Sequence, residues 1–320
     1  MRVLHITNNY PTKEYPIFGI FVKEQIESLS ELKVQNNIFF INSREKGRIE
    51  YLKSLFNLIK HLLKKDYDLI HCHHAYSAII CLLSGVSLFK KKIISYQSSP
   101  DVEGGKFLFF IISLFFNKII VKAEFEKYKS NKTYYLPNGC NMNFFHEIDR
   151  TMAKKTLGLN QESDYIAFFD SYVGRPYKRY DRYNDVISVL KTKYNLSNVE
   201  QLLLYNVDRD LVPLYINASK LHLLTSDVEG SPNSVKECMA CNVAVVTTPV
   251  GNVKDLLSGV DGCFVSSTSN IDELAELAFN ALKNERIEGR SALQNKNLSI
   301  DKVALKLLNL YMEVIKWKKN

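Results

Sequence analysis

Two carboxylates stand eight positions apart in this chain, where they could hold the two ends of one ligand. Glu229 lies in a loop that we predict to follow a buried, leucine-rich strand at 221–224, and Glu237 lies inside the helix that we predict next. Ser231 is predicted to cap this helix, and Pro232 suits its first turn. A carboxylate accepts hydrogen bonds from hydroxyls, so each acid could bind a hydroxyl-rich group.

The start of the predicted helix suits a diphosphate. Free backbone N–H groups and the positive end of the helix dipole meet there. The next apolar run, 243–247, predicts a second strand, so the segment is a strand, helix, strand unit. The helical rise from Pro232 to Glu237 is about 7–8 Å, comparable to the length of a diphosphate. One acid could therefore lie at each end of a nucleotide sugar.

The motif Glu-x7-Glu, within EGSPNSVKECMACNVAVVTTPVG, resembles the signature of retaining glycosyltransferases of family 4, which have the GT-B fold. The resemblance implies that Glu237 holds the ribose hydroxyls and that Glu229 holds the donor sugar. The alternative is an ordinary amphipathic helix with two solvated acids. The resemblance also implies a diphosphate lining formed by Gly230, Ser231, Pro232 and Asn233.

Two cations precede a helix that we predict at 183–190. Arg175 and Lys178, in the segment GRPYKRY, could neutralise the charge that builds on a departing diphosphate. They resemble the Arg and Lys of the family's donor site, although their spacing is closer than the usual form, and Arg179 is a possible substitute. With Glu229 they form the predicted catalytic set, and the alternative is a solvated basic loop.

The first half of the chain carries three weaker signals. Gly19 precedes a helix in NNYPTKEYPIFGIFVKEQIESL, which resembles the family's first loop, where a glycine lets the chain approach the donor phosphate and the acceptor. His73 or His74, in YDLIHCHHAYSA, resembles a family segment that flanks the acceptor. They could equally be loop or core histidines. Gln97 stands where many family members carry a His that touches the donor sugar, and we group it with these histidines on the acceptor side.

Three patterns suggest metal sites, and we favour another explanation for each. The run HCHH at 71–74 cannot converge on one ion, because consecutive strand residues alternate faces. Cys238 and Cys241 form a C-x-x-C, but both fall on the apolar face of a predicted helix, so core packing is favoured. The Asp-x-Asp at 208–210 precedes a short helix, where an acid is favourable. We therefore predict no metal and no cofactor other than the nucleotide sugar as co-substrate.

The alternation of strands and helices predicts an α/β fold, and the resemblance implies GT-B, in which two Rossmann-like domains face each other across a cleft. We predict an N-terminal acceptor domain at 1–145, a donor domain at 146–300, and a C-terminal helix at 301–320 that packs back on the first domain. The segment LPNGCNMNFF at 136–145 marks the domain change, because Pro, Asn and Gly stop the preceding strand.

The expected function is retaining transfer of a sugar from a nucleoside diphosphate to a hydroxyl of a saccharide or lipid-linked acceptor, in polysaccharide or glycan synthesis. A nucleotide-sugar epimerase or hydrolase of the same fold, or a non-catalytic binding protein, remains an alternative. A dehydrogenase is disfavoured because no G-x-G-x-x-G opens a helix after the first strand. The sequence leaves the donor base, the sugar and the acceptor open.

Composition bears on the location of the protein. Its 320 residues suit two domains, and six cysteines without a secretory signal or framework spacing suggest a reduced cytoplasm. The apolar run 107–121 is shorter than the roughly 20 residues that span a bilayer, and we favour a buried helix followed by a buried strand. A net charge of +8 keeps open peripheral contact with an anionic membrane. Nucleic-acid binding is disfavoured, because no recognised aromatic-basic motif is present.

Overall fold

A computed structural model of the protein describes residues 1–170, 175–205 and 207–316. The chain divides into two compact units. Unit 1 contains residues 1–14 and 18–139 and the segment that starts at Ile300, and unit 2 contains residues 15–17 and 140–299. The division falls between Gly139 and Cys140, within the predicted segment 136–145 but before its end.

Unit 1 is built on a sheet of six parallel strands in the order β2-β1-β3-β4-β5-β6. Short runs rich in Ile and Val, such as KIIS and KIIV, form its central strands, as expected of strands that are covered on both faces. The strands are β1 Arg2–Thr7, β2 Gln35–Phe40, β3 Leu69–His73, β4 Lys92–Ser95, β5 Lys118–Val121 and β6 Thr133–Tyr135.

Helices connect the strands of unit 1, and the crossover helices α3, α4 and α5 pack side by side. Their buried residues join the strands in one apolar core. The helices are α1 Ile20–Glu31, α2 Ser43–Lys46, α3 Ile49–Lys64, α4 Ala75–Leu83 and α5 Gly105–Phe115.

Unit 2 has a second parallel sheet, with five strands in the order β11-β10-β9-β7-β8. Its strands are β7 Asp164–Asp170, β8 Val199–Tyr205, β9 Ser219–Leu224, β10 Ala244–Thr247 and β11 Phe264–Val265. The apolar run at 202–207 predicts a strand, which β8 forms as far as Tyr205, and residue 206 lies outside the described part of the chain. Residues 171–174, between β7 and Arg175, also lie outside it.

The helices of unit 2 complete a strand, helix, strand alternation. They are α6 Arg150–Thr156, α7 Tyr180–Thr192, α8 Val212–Ala218, α9 Asn233–Ala240, α10 Val253–Leu257, α11 Ile271–Ala281 and α12 Gly289–Asn295. The helix α13, Ile300–Lys316, then returns to unit 1, where it packs against α1. The remaining residues of the range predicted as a C-terminal helix, 317–320, lie outside the described residues.

The apolar run 107–121 forms a helix and a strand, but the helix is not buried as expected. β5 is covered, whereas in α5 only Phe109 and Ile112 are buried, and Phe107 and Phe110 are 76% and 60% exposed. A sequence pattern that is apolar on all sides does not tell which side meets the sheet. Among the described helices, none combines the length and apolarity needed to cross a bilayer.

Candidate active site

The predicted acid and the predicted cations meet at the carboxyl edge of the unit 2 sheet. Lys178 follows β7 and Glu229 follows β9, and these strands are neighbours in the sheet. In a parallel sheet, loops at the carboxyl ends of adjacent strands lie side by side, which is where such sheets bind ligands. Tertiary structure therefore joins two sequence segments that were predicted separately.

Glu229 and Lys178 form a direct ion pair. The Lys178 Nζ donates to Oε1 of Glu229 at 2.6 Å, and the Ser226 hydroxyl donates to the same oxygen at 2.9 Å. The two charged side chains are only 13% and 15% exposed. Glu229 is therefore held in one orientation by two donors, which is not the solvated acid of the alternative interpretation.

Arg175 is also fixed by a carboxylate. Its guanidinium is bonded to Asp170, the buried last residue of β7, and only 18% of the Arg175 side chain is exposed. Arg179, the possible substitute, pairs instead with Asp181 at 2.7 Å and with Asp227 at 3.2 Å. Since α7 begins at Tyr180 rather than at 183, Arg179 immediately precedes the helix and Lys178 ends a short 3-10 turn.

Glu237 has a cationic partner that the sequence did not predict. The Arg209 Nη1 donates to Glu237 Oε1 at 2.8 Å, and the Arg209 guanidinium lies 4.7 Å from the centre of the Phe145 ring. The Glu237 side chain is 10% exposed. Arg209 is the central residue of the Asp-x-Asp triplet, whose two acids, Asp208 and Asp210, are exposed. Arg209, rather than either acid, thus contacts Glu237, the residue predicted to bind the ribose.

The start of α9 differs from the prediction in its cap. The helix begins at Asn233 after Pro232, and no side chain of the described residues caps it. The predicted cap, Ser231, is wrong: its hydroxyl accepts a hydrogen bond from the Lys236 Nζ at 3.0 Å. Lys236 is fully buried, and this burial lowers its pKa to about 8. The first-turn N–H groups of α9 therefore remain available to an anion.

Asn233 adds an acceptor at the same helix start. Its Oδ1 atom is buried and has no hydrogen-bond partner among the described residues. A buried polar atom without a partner costs free energy of about 1–3 kcal/mol. A ligand with a donor group at this place would satisfy the atom.

Gly251 packs against Gly230, in the loop that is predicted to line the diphosphate. Its φ is +53°, and a Cβ at this position would lie 2.2 Å from the carbonyl oxygen of Gly230. The backbone N–H of Asn252 donates to the same oxygen at 3.0 Å. The loops after β9 and β10 thus close on each other at Gly230, and a side chain at 251 would displace the predicted diphosphate loop.

In unit 1, Gly19 occupies a position that requires glycine. Its φ is +71°, and a Cβ there would lie 2.3 Å from the backbone carbon of Asn9. Its carbonyl oxygen accepts the N–H of Val22 at 2.9 Å as α1 begins. The loop between β1 and α1 therefore passes within contact distance of its own helix start.

The structure separates the two histidines that were predicted together on the acceptor side. His73 is 1% exposed and its Nε2 lies 3.0 Å from His5 Nδ1 in the interior of unit 1, so it cannot reach a ligand at the surface. Its assignment to the acceptor side is therefore wrong. His74, the next residue, has 19% of its side chain exposed and keeps this assignment as a prediction.

Three buried histidines of unit 1 do converge. Alternation along β3 alone did not predict this cluster, because its third member, His5, comes from β1. His71 and His73 share one face of β3, and His5 lies on the neighbouring strand, so their nitrogens come within 4.8 Å of one another. Five of the six ring nitrogens have hydrogen-bond partners, among them the hydroxyl of Tyr311 on α13. Burial lowers the pKa of all three imidazoles. This cluster holds α13 on the sheet.

Glu103 organises the remaining residues predicted on the acceptor side, and no sequence pattern predicted this role. Its carboxylate is 1% exposed and accepts the backbone N–H groups of Gln97 and Ser98, both at 2.6 Å. The Nε2 of His74 lies 3.7 Å from its other oxygen. Burial raises the pKa of Glu103, although its hydrogen bonds oppose this effect. One buried acid thus links the loop of Gln97 to the start of α4.

A cavity of about 640 Å³ opens beside this arrangement in unit 1. The Tyr76 ring in its wall lies 5.2 Å from the His74 ring. The lining of the cavity combines one guanidinium, two phenols and two isoleucines, so the cavity could hold a ligand that is partly anionic and partly apolar. The lining residues are Ser43, Arg48, Tyr51, Tyr76, Ile79 and Ile80.

Residues 180–298, within unit 2, match the family described as glycosyl transferases group 1. No curated protein matches the chain.

Solved structures resemble the chain over nearly its whole length. Sucrose-phosphate synthase from Thermosynechococcus elongatus has a TM-score of 0.76 at 15% identity, with coverage of 99% of this chain and 100% of that one. HepE from Anabaena, in complex with UDP-glucose, has a TM-score of 0.69 at 14% identity, with coverage of 98% and 100%. The catalytic domain of starch synthase IV from Arabidopsis thaliana, bound to ADP and acarbose, has a TM-score of 0.66 at 11% identity, with coverage of 98% and 99%.

These similarities confirm the predicted fold class. The chain has two α/β parts with parallel sheets and matches structures of the GT-B type.

Proposed function

We propose that this protein is a retaining glycosyltransferase of family 4, which moves a sugar from a nucleoside diphosphate to a hydroxyl. One observation carries the proposal: Glu229 and Glu237 are mostly buried, each is paired with a cation, and they flank the uncapped start of α9. The match of residues 180–298 to glycosyl transferases group 1, and the UDP-glucose bound to HepE, support it.

The donor is proposed to lie along the start of α9. Glu237 would accept hydrogen bonds from the ribose hydroxyls, and Glu229 from hydroxyls of the sugar. The diphosphate between them would face the backbone N–H groups of Gly230, Ser231 and Asn233, where the helix dipole favours negative charge. Asn233 Oδ1, which is buried without a partner among the described residues, would receive a donor group of the ligand.

Bond cleavage places charge on the leaving diphosphate. In the proposed reaction the bond between the anomeric carbon and the phosphate oxygen breaks, the acceptor oxygen attaches on the same face, and its proton passes to the leaving phosphate. Lys178 and Arg175 would stabilise the developing charge together with the helix N–H groups. Because the protein itself supplies this compensation, we propose a reaction without a metal ion.

The acceptor is proposed to bind unit 1, near His74 and Gln97. The loop that carries Gln97 is fixed by Glu103, which gives a rigid surface at the carboxyl end of β4. The adjacent cavity combines Arg48 with apolar walls, which suits a saccharide that is linked through phosphate to a lipid. We therefore propose an acceptor in glycan assembly, either a saccharide or a lipid-linked saccharide.

The test is a transfer assay with the purified full chain. Nucleotide sugars, including UDP-glucose, are screened for a thermal shift, and each hit is incubated with saccharide and lipid-linked acceptors. Proton NMR of the product then reports the anomeric configuration. A product with the donor's configuration supports the proposal. Donor turnover that needs no acceptor would indicate a hydrolase or epimerase instead, and an inverted product would overturn the retaining assignment.

A further inference from the structure

The outer side of three helices in unit 1 exposes many large apolar side chains. Among the described residues, twenty large apolar side chains are exposed, and thirteen of them lie between Ile49 and Phe115. Helix α4 packs against both α3 and α5, so the three helices form one layer. We call the outward side of this layer the α3–α5 face.

Helix α5 is apolar on every side. Phe109 and Ile112 face the core, whereas Phe110 and Leu114, on the opposite side, are 60% and 57% exposed. Its one charged residue, Lys106, lies in the first turn. A helix that is apolar all round is normally buried. The described residues therefore leave the outward side of α5 uncovered, although its composition favours burial.

Helix α3 adds a second exposed apolar stripe. Leu52, Phe56 and Leu63 recur at helical spacing and are 52%, 59% and 70% exposed. Successive residues of a helix are about 100° apart around its axis. Exposed lysines that come one position after residues on the stripe's side of the helix therefore form a row directly beside the stripe. The lysines are Lys53, Lys60 and Lys64.

The turn between α4 and β4 extends the same pattern. Leu83 at the end of α4 is 62% exposed, and Phe89 is 89% exposed, which is the largest value among these side chains. Lys90 and Lys91 follow Phe89 directly. This turn thus also sets lysines beside exposed apolar side chains, and Lys90 pairs there with Asp66.

We infer that the α3–α5 face binds the surface of an anionic lipid bilayer. Exposed apolar patches beyond a few hundred Å² mark interaction sites. Leucine and phenylalanine beside lysine is the composition of helices that lie at a membrane interface. Each lysine near such a surface is expected to raise partitioning about fivefold.

A second copy of the chain fits this face less well than a bilayer. In a symmetric dimer the same patch meets itself, so the lysine row of α3 would oppose lysines of the other copy. Anionic head groups would instead neutralise the lysines while the apolar side chains enter the acyl boundary. The charge pattern therefore selects lipid over self-association.

The inference deepens the proposed function, since it would bring a lipid-linked acceptor to unit 1. Tyr76 is 47% exposed on α4 and also lines the cavity that contains Arg48. A lipid phosphate in the bilayer would thus lie near the proposed acceptor site. Vesicle binding needs neither donor nor transfer, so its outcome is separate from that of the proposed function.

The test is co-sedimentation of the full chain with phosphatidylcholine vesicles, with and without phosphatidylglycerol. We expect binding only to the anionic vesicles, weakened by high salt. Reversing Lys53, Lys60 and Lys64 to Glu should lower partitioning by about a hundredfold or more. The matched control reverses three exposed lysines of unit 2 and should partition like the wild type apart from small effects of net charge. Those lysines are Lys155, Lys254 and Lys283.

A fluorescent probe tests the contact by an independent route. Phe110→Trp should show a blue shift when anionic vesicles are added, whereas Leu305→Trp, on an exposed position of α13, should not. Equal shifts in both variants, or no binding by the wild type, would overturn the inference. A dimer in analytical ultracentrifugation that Phe110→Ser abolishes would assign the face to a second copy.

Discussion

The Lys178 Nζ lies 2.6 Å from Glu229 Oε1, although the two residues are 51 positions apart in the chain. The pair joins the loop after β7 to the loop after β9, and it places one cation and one hydroxyl-binding acid at a single point. A donor sugar that binds Glu229 would thereby have its anomeric phosphate near Lys178. The pair is the structural basis of the proposed catalytic set.

Removing the Lys178 charge should slow transfer more than it weakens donor binding. Lys178→Met keeps the apolar stem and leaves the leaving diphosphate without one cation, so we expect kcat to fall by about 100-fold to 1,000-fold. Steady-state kinetics with the identified donor measures this effect. Lys220→Met, which removes a cation paired with Asp164 at the opposite end of the sheet, is the control and should keep kcat. An unchanged kcat in Lys178→Met would remove Lys178 from the catalytic set.

Loss of Arg209 should weaken nucleotide binding through Glu237. Without the guanidinium, the Glu237 carboxylate loses a charge-assisted hydrogen bond and its fixed orientation, and we expect the Kd of the nucleoside diphosphate to rise about tenfold in Arg209→Met. Calorimetric titration measures this Kd, and the Kd of Arg209→Lys should lie between those of the wild type and Arg209→Met. Tighter binding in Arg209→Met would show instead that Arg209 competes with the ribose for Glu237.

Gly19 should tolerate no side chain, and Gly85 provides a matched control. Both have positive φ, of +71° and +67°, but a Cβ at Gly19 would meet Asn9 backbone, while a Cβ at Gly85 would meet nothing within 4 Å. We expect Gly85→Ala to lower the free energy of unfolding by about 1–3 kcal/mol through backbone strain alone, and Gly19→Ala to lower it by more, because strain and the contact with Asn9 add. Urea unfolding measures both. Equal losses of unfolding free energy would mean that the loop before α1 moves to accommodate the added methyl group at no further cost in stability.

Stability should fall in mild acid because a buried histidine must stay neutral. Burial lowers the pKa of His222 to about 4, partly offset by its hydrogen bond to the Ala167 carbonyl. The unfolded chain binds the proton near pH 6.5, so stability is lost as pH falls from about 6.5 to 4, by about 3 kcal/mol for this group.

The matched variant is His222→Gln, which keeps a donor and an acceptor for Ala167 and Ser234. Its unfolding free energy, measured between pH 7 and pH 4, should fall less steeply than that of the wild type, as far as this one group contributes. Parallel curves for the two proteins would show that His222 takes up no proton on unfolding.

The local pattern around Glu229 and Glu237 was predictable, because a strand, a loop and an amphipathic helix follow one another within one short segment. Their cationic partners were not predictable in the same way. Arg209 reaches Glu237 only because the sheet brings the end of β8 and helix α9 together. Pairing across strands is set by topology, which spacing along the chain does not show.

Burial in unit 1 was equally hard to predict. His73 and His74 are adjacent in the sequence, yet one lies in the interior and the other starts a helix at the surface, because β3 ends between them. Periodicity likewise could not tell that Phe107 and Phe110 face outward, since α5 is apolar on both sides. Whether such a side chain is buried depends on which other elements pack against it in the tertiary structure.

The proposed function requires that Glu237 and the start of α9 bind the nucleoside diphosphate. Calorimetric titration of the wild type and of Glu237→Gln, with the nucleotide sugar identified by thermal shift, measures this binding. Glu276→Gln, on an exposed position of α11, is the control. We expect Glu237→Gln to bind at least about tenfold more weakly, since a charged acceptor is lost, and the control to bind like the wild type. Wild-type affinity in Glu237→Gln would rule out Glu237 as the ribose-binding residue.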